Sequence, residues 1–122
     1  MRRILVLDDI GRMPHEMSVL DEAFPDLVDR MQELDSSVLK QKYAVTVVDP
    51  IELYRQTTGN VSVPEAREMF DFIRKETGSK MILVQGGYSP DKLGLEGLYD
   101  SLHKKPYDAE QLVGQIKDIA RW

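Results

Sequence analysis

A chain of 122 residues with 42% hydrophobic and 30% charged residues has the composition of one globular domain over residues 1–122, able to bury a core without staples. It contains no cysteine, which excludes disulfides, thiolate nucleophiles and cysteine-held zinc. Its net charge of −5, with acids and bases interspersed, argues against a nucleic-acid surface, which needs a basic stripe.

The first element in chain order is a strand over residues 3–8 (RILVLD), an unbroken apolar run of the kind found in parallel strands covered on both faces. It is far too short for a signal peptide despite Arg2 and Arg3, and no run approaches the roughly 20 residues needed to span a bilayer. A cytoplasmic protein without membrane insertion is expected. With nothing after Trp122, no output domain is expected either. Met13, Met17, Leu20 and Phe24 then recur at helical spacing, with Pro14 placed for a first turn. After Pro25, the series Leu27, Val28, Met31, Leu34 and Val38 predicts a second helix, leaving only a vague strand signal at 37–41. Residues 43–48 (YAVTVV) are rich in β-branched side chains and read as a strand.

The stretch 57–63 (TTGNVSV) is a loop with a Gly59-Asn60 turn signal. Ala66, Met69, Phe70 and Ile73 form the next helical stripe, opened near Pro64 and closed near Gly78. Residues 80–85 (KMILVQ) are another continuous apolar strand. A helix is expected after Ser89-Pro90 with Leu95, Leu98 and Leu102 inward, and a short strand at 101–104 before Pro106. The last helix has Asp108 as N-cap and Gln111 as capping-box partner, followed by Leu112, Val113, Ile116, Ile119 and Ala120. Strands alternating with helices imply an α/β fold, a three-layer parallel sheet of four or five strands with helices on both faces. The strand holding Leu5 and Val6 is expected at its centre, flanked by Val45–Val47 and Ile82–Val84.

Open parallel sheets bind ligands at the carboxyl ends of their strands. There the sequence places Asp8 and Asp9 after the first strand, Asp49 after residues 43–48, and Lys105 before the last helix. Three carboxylates and one ammonium would suit a hard cation such as Mg²⁺ together with a phosphoryl group. Each residue also has a plain structural reading. Asp49-Pro50-Ile51-Glu52 has the form of a capping box, Asp8 and Asp9 can solvate a strand end, and Lys105 can be an exposed lysine. His15 and His103 have no ligand-like companions and are expected to be structural or surface residues. Gly86-Gly87 marks a tight turn or a close approach of an anion to the backbone.

The opening ILVLDDI, the middle EAREMFDFIRKETGSKMILVQGG and the end LHKKPYDAEQLVGQIKDIA together resemble the receiver domain of bacterial response regulators, with its flavodoxin-like fold. The resemblance implies that Asp8 and Asp9 are the metal-binding acid pair, that Asp49 is the phosphoacceptor and a third metal ligand, and that Lys105 contacts the phosphoryl group. The cofactor would be Mg²⁺. The partners would be a histidine kinase or phosphotransfer protein and a downstream protein target, with the chain a phosphoacceptor rather than an enzyme.

The sequence departs from that family in its switch. The Thr or Ser expected after the fourth strand falls at Gln85-Gly86-Gly87, and the aromatic three positions before the lysine is Leu102. The loop after Asp49 is longer than the family's and lacks its Met-Pro. Two registers stay open: residues 43–48 as the central third strand, with a degenerate second strand at the sheet edge, or as the second strand, which would put Asp49 off the site. Two alternatives to a phosphorylated receiver also stand, a phosphorylation-independent pseudo-receiver and a small flavodoxin-like nucleotide-handling protein. The latter lacks a Walker lysine motif and a G-x-G-x-x-G loop. Without the switch pair, the face made by the last strand and helix is expected to rearrange little on phosphorylation.

Overall fold

The apolar runs do what their continuity requires: they form parallel strands with both faces covered. The computed structural model describes residues 3–7, 13–30, 41–49, 63–86 and 94–122, with backbone alone at 63–66. Among these, β1 is Ile4–Leu7, α1 Pro14–Ala23, β2 Val28–Arg30, β3 Val45–Val48, α2 Val63–Thr77, β4 Lys80–Gln85, β5 Ser101–Lys104 and α3 Ala109–Ala120. The strands form one parallel sheet in the order β2-β1-β3-β4-β5.

Side chains alternate between the two faces of this sheet. Ile4, Val6, Val45, Val47, Ile82 and Val84 meet Met17, Leu20 and Phe24 of α1 and its C-terminal end, with Leu112 and Ile116 of α3. Leu5, Leu7, Val48, Met81 and Leu83 meet Phe70 and Ile73 of α2. Three layers result. Among the described residues, no helix is long and apolar enough to cross a membrane.

The structure resolves the open register: residues 45–48 are the third strand, between β1 and β4. Three expectations need correction. The middle of the sheet is β3 rather than β1, and Ile82–Val84 lie beside β3 instead of beside the strand of Leu5 and Val6. The helix expected from Leu27 onward is, over Val28–Arg30, the edge strand β2. A turn turns the chain there, with Asp26 at φ +60° and the Leu27 N–H donating to the Phe24 carbonyl at 3.1 Å. Ile4 N–H then reaches the Leu27 carbonyl at 2.8 Å, committing the segment to the sheet. Met31, Leu34, Val38 and the strand signal at 37–41 lie outside the described residues, apart from Gln41. The helix expected through Leu95 and Leu98 is a series of turns, because Gly94 (φ +66°) and Gly97 (φ +79°) sit in the left-handed region. Leu95 is nonetheless buried, and Leu102 belongs to β5.

Polar groups at the amino ends of the strands are answered in full networks. Thr77 Oγ1 donates to the Ile73 carbonyl at 2.7 Å, so Ser79 must donate to Thr77 (2.8 Å) and Thr46 to Ser79 (2.7 Å). Asp100 pins the start of β5, its carboxylate accepting from Met81 N–H at 2.8 Å while its own N–H donates to the Met81 carbonyl at 2.9 Å. The edge strand is held by Asp29, which accepts from both Nε and a terminal nitrogen of Arg3 and from the Tyr43 hydroxyl at 2.9 Å. The bonds from Arg3, and secondarily Tyr43, hold the Asp29 carboxyl below its ordinary value against the opposing effect of burial. Burial, followed by the bond to Asp29, pushes the Tyr43 phenol from 10.0 to about 12.

These shifts fix the sign of the pH dependence. The depressed Asp29 pKa gives stability present above the ordinary carboxylate range and lost as pH falls through the folded-state value. The raised Tyr43 pKa gives stability present below pH 10.0 and lost as pH rises towards about 12. Asp29→Asn is expected to cost about 1–3 kcal/mol at neutral pH. In urea denaturation across pH, the variant should show a weaker loss on both the acid and the alkaline side than the native chain.

Candidate functional site

The site is built at the carboxyl edge, where β3, β4 and β5 end side by side. Val48 is the last residue of β3 and pairs with Leu7 of β1, so Asp49 follows directly at the level where β1 also ends. Asp49 is 4% exposed. From the other side, Lys105 leaves β5 with its N–H donating to the Gln85 carbonyl of β4 at 3.1 Å. That anchor aims the side chain back across the end of β4, and Nζ donates to Asp49 Oδ2 at 3.0 Å.

Gly86, the residue after β4, lies under this crossing. A Cβ there would sit 3.6 Å from Asp49 Oδ2 and 3.9 Å from Lys105 Cδ, in ordinary contact with both. The glycine seen in the sequence as a turn residue thus also keeps space beside the ion pair. Gly87 lies outside the described residues.

Of the four site residues read from the sequence, the structure brings Asp49 and Lys105 together. Asp8 and Asp9 lie outside the described residues, as do Pro50, Ile51 and Glu52 of the capping-box reading. Among the described residues, no group of three or more His, Asp or Glu side chains is gathered as a metal site. Asp49 itself fits a hard cation in kind: it is a carboxylate at a strand end of a parallel sheet, an oxygen donor of the type Mg²⁺ takes.

Two residues that sequence reasoning did not assign to the site adjoin it. The Lys105 ammonium lies 5.5 Å from the centroid of the Tyr107 ring, within cation–π range. Tyr107 is stacked on His103, with centroids 5.8 Å apart and planes 16° from parallel. His103 is 1% exposed, and its Nδ1 lies 2.8 Å from Gln115 Oε1 on α3. Gln115 Nε2 donates to the Leu102 carbonyl at 2.6 Å and to Ser101 Oγ at 3.1 Å. The expectation of a structural or surface residue resolves to a buried one for His103, but among the described residues Nε2 of His103 and the Tyr107 hydroxyl, both buried, have no hydrogen-bond partner. Such atoms cost about 1–3 kcal/mol each when left unanswered.

The fold is that of response-regulator receiver domains. A receiver domain protein (CheY-like) from Methanospirillum hungatei JF-1 superposes with a TM-score of 0.72 and 20% sequence identity, covering 99% of this chain and 94% of that chain. A response regulator from Burkholderia pseudomallei, solved with a phosphorylated aspartic acid, calcium ion and citrate, gives a TM-score of 0.69 at 15% identity, covering 99% of this chain and 69% of that chain. A response regulator from Thermotoga maritima gives a TM-score of 0.65 at 14% identity, covering 100% of both chains. No protein-family model and no curated protein matches the chain.

The ion pair is asymmetric in burial, with side-chain exposures of 24% for Lys105 and 5% for Asp49. Lys105→Met withdraws the ammonium from a carboxylate with little access to water and is expected to cost about 1.5–3 kcal/mol. Asp49→Asn leaves an ammonium able to turn towards solvent and should cost less. Urea midpoints of the two variants at neutral pH check this order.

Proposed function

We propose that the chain is a receiver-like signalling domain that accepts a phosphoryl group on Asp49. The observation that carries this reading is the Asp49–Lys105 ion pair, 3.0 Å long, at the carboxyl edge of a sheet with the receiver strand order. A carboxylate is a weak nucleophile, and phosphoryl transfer depends mainly on positioning and on stabilising spread-out negative charge. Asp49 is buried and accepts a hydrogen bond from its lysine. Its oxygen would form the new bond to phosphorus as the P–N bond of a donor phosphohistidine breaks, with the freed imidazole taking up a proton. Lys105 would follow the added charge from the carboxylate to the phosphoryl oxygens.

Asp8, Asp9 and Asp49 would hold Mg²⁺ in this reading, and the bound ion would neutralise phosphoryl oxygens. The chain would thus accept the group rather than turn over a substrate. Its partners would be a histidine kinase or phosphotransfer protein and a downstream protein, in the cytoplasm, with residues 1–122 acting as one unit. The net charge of −5 fits protein partners better than nucleic acid.

A second reading has an observation of its own. Gly86 beside the ion pair carries no hydroxyl, and Leu102 packs against the core face of Phe70 and Leu83 with no polar tip. These features suit a pseudo-receiver that binds partners without phosphorylation. Incubation with Mg²⁺ and a small-molecule phosphodonor separates the two. Intact-mass measurement should show a gain of one phosphoryl group, lost in Asp49→Asn and on chelation of the metal. A native chain that gains none under these conditions, and whose melting is unmoved by millimolar Mg²⁺, is a pseudo-receiver.

A further inference from the structure

We infer that Tyr107 and His103 form an output relay, carrying the state of the Asp49–Lys105 pair to Gln115 on α3. The relay rests on the reading of Asp49 as a phosphoacceptor, and it reverses the expectation that the last strand and helix stay still.

The contacts form one continuous path. The Lys105 ammonium lies 3.0 Å from the Asp49 carboxylate and 5.5 Å from the centroid of the Tyr107 ring. A phosphoryl group on Asp49 moves the negative charge outward and adds to it, so the ammonium follows and leaves the ring. Tyr107 is thereby the first residue outside the site to sense the change.

The next step follows from hydrogen-bond inventory. Both protons of Gln115 Nε2 face acceptors, Ser101 Oγ and the Leu102 carbonyl, which fixes the orientation of the amide. Its Oε1 therefore accepts, and His103 Nδ1 must be the donor. Among the described residues, in the neutral ring Nε2 is then an acceptor with no donor, while the neighbouring Tyr107 hydroxyl is a donor with no acceptor. The stack holds complementary groups apart. An arrangement in which the Tyr107 hydroxyl donates to His103 Nε2, directly or through one water, answers both.

Tyr107 lines a cleft of about 330 Å³ with His15, Glu16, Val19 and Glu110, so open space adjoins the residue. Two arrangements that differ in where Lys105 sits are what a ligand-linked population shift requires. The far end of the path is mechanical. Gln115 ties α3 to Ser101 and Leu102 of β5, so a change at His103 loads the clamp between the last strand and the last helix.

Lys105→Met, which withdraws the cation without any phosphoryl group, is expected to move the His103 imidazole nitrogen resonances and the Gln115 side-chain amide. In a Tyr107→Phe background, which keeps the ring and removes the hydroxyl, the movement at Nε2 should be abolished. No movement in the first case, or movement of equal size in the second, overturns the relay. The native chain with Mg²⁺ and beryllofluoride gives the arm that needs no substitution. Changes around Asp49 accompanied by the same His103 and Gln115 shifts support the relay, and changes around Asp49 that leave His103 in place overturn it. Should nothing change around Asp49, the phosphoacceptor reading falls, and the Lys105–Tyr107 cycle alone decides the relay.

Discussion

A carboxylate that is 4% exposed at the end of β3 needs a partner, and the geometry of the sheet allows Lys105 to supply one. Taking both charges from water costs several kcal/mol per ion, and a close, hydrogen-bonded geometry is what offsets it. That geometry demands three things of the fold. The third strand must lie beside the fourth and the fourth beside the fifth, the Lys105 backbone must be fixed on β4, and the residue after β4 must leave the lysine stem free to cross to Asp49. The strand order, the backbone bond to Gln85 and Gly86 meet these requirements together. The ion pair is thus a product of topology: residues 56 apart in sequence meet because parallel strands end at a common edge.

The two edges of the sheet solve their polar problems differently. At the amino edge, the Thr46–Ser79–Thr77 chain ends on a carbonyl with every proton used. Asp29 is likewise filled by Arg3 and Tyr43, and Asp100 is bonded to both backbone groups of Met81. Fully satisfied networks have one good arrangement and resist change. Towards the carboxyl edge, the stack of Tyr107 on His103 carries two buried polar atoms that have no hydrogen-bond partner among the described residues. In the proposed relay the satisfied amino edge would hold the register of the strands, and the pair beside Lys105 would be the part that rearranges.

Much of this could be read from residue order because the strands are buried on both faces. ILVL, VTVV and MILV are continuous apolar runs, and a run of that kind points to a parallel sheet between helices. The cap of α3 was equally plain, with the Gln111 N–H donating to Asp108 at 3.0 Å as the spacing implies. The second strand was not legible. Three residues, Val28–Arg30, are too few to show alternation, and their apolar member fits a helical stripe equally well. The turns at Gly94–Leu98 misled for a related reason: leucines three apart satisfy both a helical face and a tight turn. In the site, Asp49 and Lys105 were readable as strand-end residues, whereas their neighbours were not. Nothing local marks Gly86 as lying under a side chain that begins nineteen positions later, or His103 as the partner of a glutamine on the next helix.

The position of Leu102 explains why an output path would lie on the α3 side of the sheet. Residues on β5 alternate between faces, and Leu102 packs with Phe70, Leu83 and the rest of the α2 layer. An aliphatic side chain there has no polar end to trade between solvent and core, so it has one stable environment. The adjacent residue, His103, points to the opposite face and is bonded to α3. Moving the polar, adjustable side chain by one position along a strand moves it through the sheet. A domain built this way would keep the phosphoacceptor chemistry at the strand ends and still deliver its response to a different layer, through α3 and the cleft it shares with α1. In such a domain the direction in which a response left the sheet would be set by a single alternation in β5, while the acceptor site would stay where the topology puts Asp49.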